Sequence, residues 1–216
     1  FANKNNICIS HSDAISSALS FNKRLLKKFL KKELNILSPK EIKYKNPIKF
    51  PVILKPNWGG SSKGIKFIKN KEELKKKINN HNNLIEEIIH GKELTVTVIE
   101  NNLKIKALGV TEIVFNNMHY DYVAKYTKNK SSHYLPARIS KTHYKFLMKI
   151  SKEIFRICNC KGIVRIDYIM SKNGKIFFLE MNTHPGLTKL SLAPEQANYQ
   201  GLSYLDLLKQ IINSSL

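Results

Sequence analysis

The chain has 216 residues, with 37 Lys and Arg against 16 Asp and Glu, a formal net charge of +21, and a hydrophobic share of 42%. That apolar share and its regular clustering exclude a disordered chain, and no apolar run approaches the ~20 residues of a membrane-spanning helix. The length suits one compact domain or two small subdomains sharing a core. The charge invites a polyanion, yet the lysines run along nearly the whole chain beside abundant Asn and Ile, and only four basic residues are Arg. A selected nucleic-acid surface is more often concentrated, arginine-bearing and interleaved with aromatics, so neither a specific nucleic acid nor a membrane is expected as partner. Cys8, Cys158 and Cys160 lack metal-ligand spacing and fit packed or free thiols in a reducing compartment. The seven histidines form no HExxH arrangement. The chain opens on Phe1 without a signal-peptide pattern, and an upstream segment is expected.

In chain order, Ala14 to Leu34 reads as one amphipathic helix capped by Asp13 or Ser12. Its apolar face is Phe21, Leu25, Leu26, Phe29 and Leu30. Lys23, Lys27 and Lys31, then Arg24, Lys28 and Lys32, are stacked four apart and predict a solvated face. Pro51 to Leu54 reads as a buried strand, followed by a Gly/Ser-rich turn through Gly64 and a strand from Ile65 to Ile68. Strand, turn, strand describes a hairpin-like lid, whereas a P-loop opens a helix. Lys71 to Asn80 reads as a surface helix and Asn83 to Ile89 as a strand. Glu93 to Glu100 alternates like a sheet strand, and Leu103 to about Val114 adds another. Asn116 to Leu135 has neither periodicity and predicts a long functional loop. Lys141 to Cys158 reads as a helix. Gly162 to Met170 and Lys175 to Met181 read as strands joined at the hairpin signal Asn173-Gly174, and Ala193 to Ile212 is helical with a break at Gly201.

Two constellations carry chemistry. Asp167 on one strand of the last hairpin, with Glu180 and Asn182 on its partner, supplies hard oxygen ligands suited to magnesium. Arg165 and Asp167 stand inside the apolar run Ile163 to Ile169, where opposite charges are costly unless paired, and so mark a candidate site. The Gly-Gly-Ser-Ser-Lys-Gly turn offers backbone N–H groups and hydroxyls to an anion, with Lys55 just before it as a point charge.

Together these segments resemble the D-alanine–D-alanine ligases of the ATP-grasp superfamily. The resemblance rests on Ser17-Ala18-Leu19-Ser20-Phe21-Asn22-Lys23, Phe50 to Pro56, Gly60-Ser61-Ser62, Glu86 to Glu93 and Tyr120 to Tyr126. It continues through Gly162 to Asp167 and Glu180 to Thr188, so it runs from about residue 10 to the end. It implies an α+β ATP-grasp fold with two subdomains clasping ATP, divided here as 1–93 and 94–216.

On that resemblance Lys23 and Lys55 contact the phosphates with Ser62 in the turn. Glu86, Glu87 and Ile89 hold adenine, Glu93 binds the ribose hydroxyls, and Tyr120 lies in the nucleotide-binding loop. Asp167, Glu180 and Asn182 hold two magnesium ions, with manganese as a substitute. Lys125 reaches the phosphate and Tyr126 shields it, Ser61 contacts Tyr126, Arg165 and the Gly186 backbone face the tetrahedral oxyanion, and Ser191 and Leu192 receive the second substrate's carboxylate. The implied activity joins two D-alanines through an acyl phosphate for peptidoglycan precursor synthesis in the cytoplasm.

The chain departs from the family at Lys63, where Val is common, and at Glu87, where Lys is common. The family's N-terminal domain, which completes the first D-alanine site, precedes the segment that begins here. That domain, or a homodimer partner, is the expected protein contact, and the 216 residues alone are expected to form no dipeptide at an appreciable rate. The rivals are a silent ATP-binding remnant, a basic nucleic-acid-binding module, and an ATP-grasp ligase for another amine or hydroxy acid.

Overall fold

The computed structural model describes residues 3–5, 7–44, 46–60, 63–78, 82–101, 104–115 and 131–214. The expected loop of 116–135 therefore lies mostly outside the described residues, and so do Ser61, Ser62, Tyr120, Lys125 and Tyr126.

Two antiparallel sheets organise the described residues. The smaller has the order β2-β1-β3 from β1 (Val52–Pro56), β2 (Lys66–Ile68) and β3 (Asn83–Glu87). The larger has the order β6-β5-β4-β7-β8 from β4 (Gly91–Asn101), β5 (Lys104–Phe115), β6 (Ser131–Tyr134), β7 (Ile163–Ser171) and β8 (Ile176–Asn182). The chain crosses between the sheets over Ile88, Ile89 and His90. Val52, Leu54, Ile68, Leu74 and Ile85 close a small core under the first sheet, where α3 (Lys71–Lys77) packs. The strands β7 and β8 meet at the expected Asn173-Gly174 turn, with Gly174 at φ 79°.

The large sheet is covered on both faces. Leu94, Val96, Val98, Val164, Ile166 and Tyr168 alternate onto one face and pack with α4 (Lys141–Ile157) through Leu147, Ile154 and Phe155. The other face meets α5 (Leu192–Tyr199) and α6 (Tyr204–Asn213) through Ala193, Ala197, Leu207 and Ile211. The buried Gln196 ties α5 to the sheet: its Oε1 accepts from Thr97 N at 2.8 Å, and its Nε2 donates to Thr95 O and Thr111 Oγ1. Such satisfaction is what permits an amide in a core.

Three expectations need correction. The helix expected over Ala14 to Leu34 is two helices, α1 (Ala14–Phe21), capped by Asp13, and α2 (Lys23–Leu34). Asn22 between them is extended, at φ −93° and ψ 90°, and its Oδ1 accepts from Leu25 N at 3.0 Å. Asn57, buried beyond β1, holds the break open: its Nδ2 donates to Asn22 Oδ1, its Oδ1 accepts from Arg24 N, and its O accepts from Lys23 N. A tertiary partner thus outbids helical continuity, because it satisfies backbone groups that α2 leaves orphaned at its start.

The basic stripe is not all solvated either. Lys23 and Lys27 are buried with Leu26 and Leu30, whereas Phe21 and Leu25 are exposed. Finally, Ser131–Tyr134 is a strand, paired to β5 from Glu112↔Tyr134 to Phe115↔Ser131. A polar edge strand of this kind is specified by the neighbour it pairs with rather than by alternation of its own.

Candidate functional site

The helix break places Lys23 at the first turn of α2, beside the turn that follows β1. Asn22 and Trp58 form an antiparallel bridge across this junction. Gly59 lies at φ 110°, in a region that side chains with a Cβ rarely adopt, and its carbonyl accepts from Lys23 Nζ. Lys23 also stands 3.6 Å from Glu180 Oε2 at the end of β8. The two sheets therefore meet across a cleft lined by Lys23, Lys55, Gly59, Gly60, Lys63 and Glu180.

Behind the cleft lies a buried ion cluster. Lys27 Nζ is 2.6 Å from Glu86 Oε1 and Lys55 Nζ is 2.8 Å from Glu86 Oε2, with all three side chains no more than 8% exposed. The carboxylate gives one oxygen to each ammonium. Burial alone raises the Glu86 pKa, but Lys55 and then Lys27 outweigh it and hold the group below the usual carboxylate range. Burial and the neighbouring Lys55 bring Lys27 down to about 7, against the opposing pull of Glu86. Burial also lowers Lys23, partly offset by Glu180.

The cluster assembles one helix and two strands, and the sequence reading missed Lys27 in it. Its one signal was that Lys27 follows Lys23 by one helical turn. Glu86, expected at an adenine hinge, stands near the end of β3 with its carboxylate among the lysines. Glu87 ends β3, where its Oε1 accepts from Lys40 N at 2.8 Å. Ile89 is half-buried in the crossing between sheets.

The second half of the site is the polar end of the β7–β8 hairpin. Antiparallel register sets Arg165 opposite Asn182 and Asp167 opposite Glu180, so the four share one face. Arg165 holds Asp167 through two bonds, Nε to Oδ1 at 2.9 Å and a guanidinium nitrogen to Oδ2 at 2.8 Å. Thr95 on β4 donates to the same Oδ1 at 2.6 Å. The expected charge pair of the apolar strand is therefore satisfied at fixed geometry. Asn182 Oδ1 accepts from His184 N at 2.9 Å. Glu93 sits on the same face of β4 as Thr95, two residues before it and opposite Ile169.

The oxygen set suits magnesium: Asp167 and Glu180 offer two carboxylates from opposed register positions, Asn182 adds an amide oxygen, and Asp167 would share its oxygens with Arg165. Magnesium commonly takes one or two carboxylates and completes its shell from phosphates and water. Among the described residues no group of three or more His, Cys, Asp or Glu could hold a metal ion by itself.

Beyond β8 the chain turns sharply into α5. A Cβ on Gly186 would stand 2.9 Å from Ser191 Oγ, so a glycine is what allows this approach. Ser191, the residue before α5, bonds Thr188 through both its hydroxyl and its N–H at 2.8 Å, and Leu192 begins the helix. The free first-turn N–H groups of a helix suit a carboxylate.

Solved structures share this fold. The D-Ala:D-Ser ligase VanG from Enterococcus faecalis superposes with a TM-score of 0.84 at 29% identity, covering 98% of this chain and 66% of that one. The D-alanine–D-alanine ligase from Bacillus anthracis, solved in complex with ATP, gives 0.80 at 27% identity, covering 99% and 72%. The fold is thus ATP-grasp, an α+β architecture. A family model described as D-ala D-ala ligase C-terminus matches residues 24–213. The D-alanine–D-alanine ligase of Rickettsia typhi is 36% identical over 94% of this chain and 66% of its own length. The chain belongs to the D-alanine–D-alanine ligase family, and it spans about two thirds of the length of that relative.

Proposed function

We propose that this chain carries the nucleotide-binding part of a D-alanine–D-alanine ligase, and that ATP occupies the cleft between its two sheets. The observation that carries the reading is the junction of the two halves. Lys23 reaches the carbonyl of the glycine turn and stands near Glu180, so cations for phosphate and a carboxylate suited to magnesium face one cleft. The family match and the ATP complex of a similar structure support it.

The reaction begins when one D-alanine carboxylate oxygen bonds to the γ-phosphorus and the bond to ADP breaks, giving an acyl phosphate. The amine of a second D-alanine then bonds to the acyl carbon, sheds a proton, and phosphate leaves with the electron pair of the C–O bond. Negative charge gathers at both steps, so donors fixed beforehand do the catalytic work. Lys23 and Lys55 bind and orient the phosphates, with Ser62 and Lys125 as further contacts and Tyr126 and Ser61 closing over them. Arg165, locked by Asp167, and the Gly186 backbone face the tetrahedral oxygen. Ser191 and Leu192 at the start of α5 receive the second carboxylate.

Adenine lies at Glu86, Glu87 and Ile89, with Tyr120 in the adjoining loop, and the ribose at Glu93. Asp167, Glu180 and Asn182 hold magnesium, two ions in our reading with manganese able to substitute, and the metal neutralises phosphate charge when bound. The chain divides as 1–93 and 94–216. The product serves peptidoglycan precursor synthesis in the cytoplasm; among the described residues no helix is long and apolar enough to cross a membrane.

The test supplies the chain with the part of the family's length that it does not span, as a separate polypeptide or fused, together with D-alanine, ATP and magnesium. D-alanine-dependent phosphate release matched by D-alanyl-D-alanine is the expected result. ATP binding without phosphate release would contradict the ligase reading and indicate a silent remnant.

A further inference from the structure

Glu86 divides its two oxygens between Lys27 and Lys55, and the two lysines differ in what else they can reach. Lys55 lines the cleft between the sheets, whereas Lys27 does not. Lys27, one helical turn beyond Lys23 on α2, meets the other carboxylate oxygen at 2.6 Å, with its own side chain 8% exposed. An anion entering the cleft competes with Glu86 for Lys55. If Lys55 turns to that anion, the carboxylate loses one of its two partners inside the protein, where an unpaired charge is strongly disfavoured. One partner then remains to it.

We propose that Lys27 is a positioning residue of the nucleotide cleft: it holds Glu86 from behind, in place and ionised, so that Lys55 is free to leave the carboxylate for a phosphate oxygen. This rests on the reading of the cleft as the ATP site. Lys27 touches no phosphate in this account. Without it Glu86 has Lys55 alone as a partner in the cluster, and the two would neutralise each other at the edge of the cleft, removing a cation from the ligand.

The arrangement has a pH consequence. The charged groups around Lys27 are Lys23 on its own helix, Lys55 from β1, Glu86 from β3 and Glu180 from β8, which faces Lys23. Arg24 is turned to Glu41, and Lys31 is exposed. In the free protein burial and the nearby Lys55 hold Lys27 down to about 7. Once Lys55 moves toward a phosphate, Lys27 loses a repelling neighbour and has Glu86 to itself, so its pKa rises. Nucleotide binding therefore takes up a proton on Lys27, and affinity falls as pH rises above about 7.

The experiment measures the Kd for ATP with magnesium by calorimetry on the 216-residue chain, from pH 7 to pH 9, for the parent, Lys27→Met and Lys27→Arg. Near-ultraviolet circular dichroism accompanies each variant. Lys27→Met should weaken binding by about tenfold or more at pH 7, the scale of one lost charge-assisted contact. Lys27→Arg, charged throughout the range, should bind within about threefold of the parent at pH 7 and lose the parent's weakening toward pH 9. Parental affinity and pH profile in a folded Lys27→Met would overturn the proposal. So would the parent's pH profile persisting in Lys27→Arg, which decides the matter if the methionine variant does not fold. A parent that binds no ATP would overturn the nucleotide reading itself, and this proposal with it.

Discussion

The two halves of the cleft solve the same electrostatic problem in different ways. On the small-sheet side Lys23, Lys27, Lys55 and Glu86 have side chains no more than 8% exposed, and the single carboxylate of Glu86 is shared by Lys27 and Lys55. On the large-sheet side Arg165, Asp167 and Glu180 keep about a fifth of their side-chain surface open. The buried cluster is prepared for an anion by a carboxylate that must give up part of its hold on Lys55. The hairpin keeps Arg165 and Asp167 locked, while Glu180 and Asn182 at its end stay partly exposed, with oxygens of the kind a cation takes. A charge that must be released when ligand arrives needs a second counterion behind it; a charge that stays open to water does not.

That difference sets how the halves should fail. Glu86→Gln leaves two ammoniums facing a neutral amide in the interior. It should cost about 3–5 kcal/mol of stability near pH 6, the range for breaking one side of a buried pair. The loss should shrink by pH 8, because Lys27, held down to about 7 even with Glu86 raising it, sheds its proton more readily still once that carboxylate is gone. Urea denaturation at both pH values measures this, and a stable variant at pH 6 would remove the cluster from the account. Arg165→Ala acts on the open half. Its main loss should be turnover in the complete ligase, by about 10²–10³-fold if Arg165 stabilises the oxyanion. A fall confined to thermal stability would make Arg165 a structural partner of Asp167 and nothing more.

The halves also differ in legibility. Arg165, Asp167, Glu180 and Asn182 lie on one hairpin whose turn is spelled by Asn173-Gly174, so counting from the turn sufficed to place them together. The lysine–glutamate cluster joins α2, β1 and β3 over about 60 residues of chain. No local pattern ties Lys27 to Glu86, and Lys23 entered only through a family resemblance. Helical spacing holds within each of the two helices, but hydropathy assigns the buried face and cannot see that buried lysines have a carboxylate waiting. The break at Asn22 was hidden for the same reason, since Asn57 imposes it from another segment. Of the eight strands among the described residues, β6 alone lacks a pattern of its own, and its pairing with β5 explains why.

A control lies outside the cleft on β5. Glu112 is buried and held by Arg138, which drives its pKa down to about 2 with help from Lys92, against the opposing effect of burial. A carboxyl with a depressed folded pKa contributes stability above its unfolded value. That contribution should fade as pH falls from about 4.5 toward 2. Glu112→Gln should flatten this part of the stability profile while leaving nucleotide affinity at pH 7 unchanged; a steeper acid transition would show the sign to be wrong. The smallest effect is expected at the exposed Lys77–Glu73 pair, four residues apart on α3. Lys77→Ala should leave the melting temperature within measurement error, since such pairs are screened and mobile.

The central claim is that both halves act on one nucleotide, and a magnesium titration of ATP binding tests it most directly. The Kd for ATP is measured with and without magnesium for the parent, Lys55→Met and Glu180→Gln. The account predicts that Lys55→Met weakens binding under both conditions, whereas Glu180→Gln removes most of the gain that magnesium gives while the fold stays intact. Equal magnesium dependence in Glu180→Gln and the parent, or undiminished affinity in Lys55→Met, would contradict it.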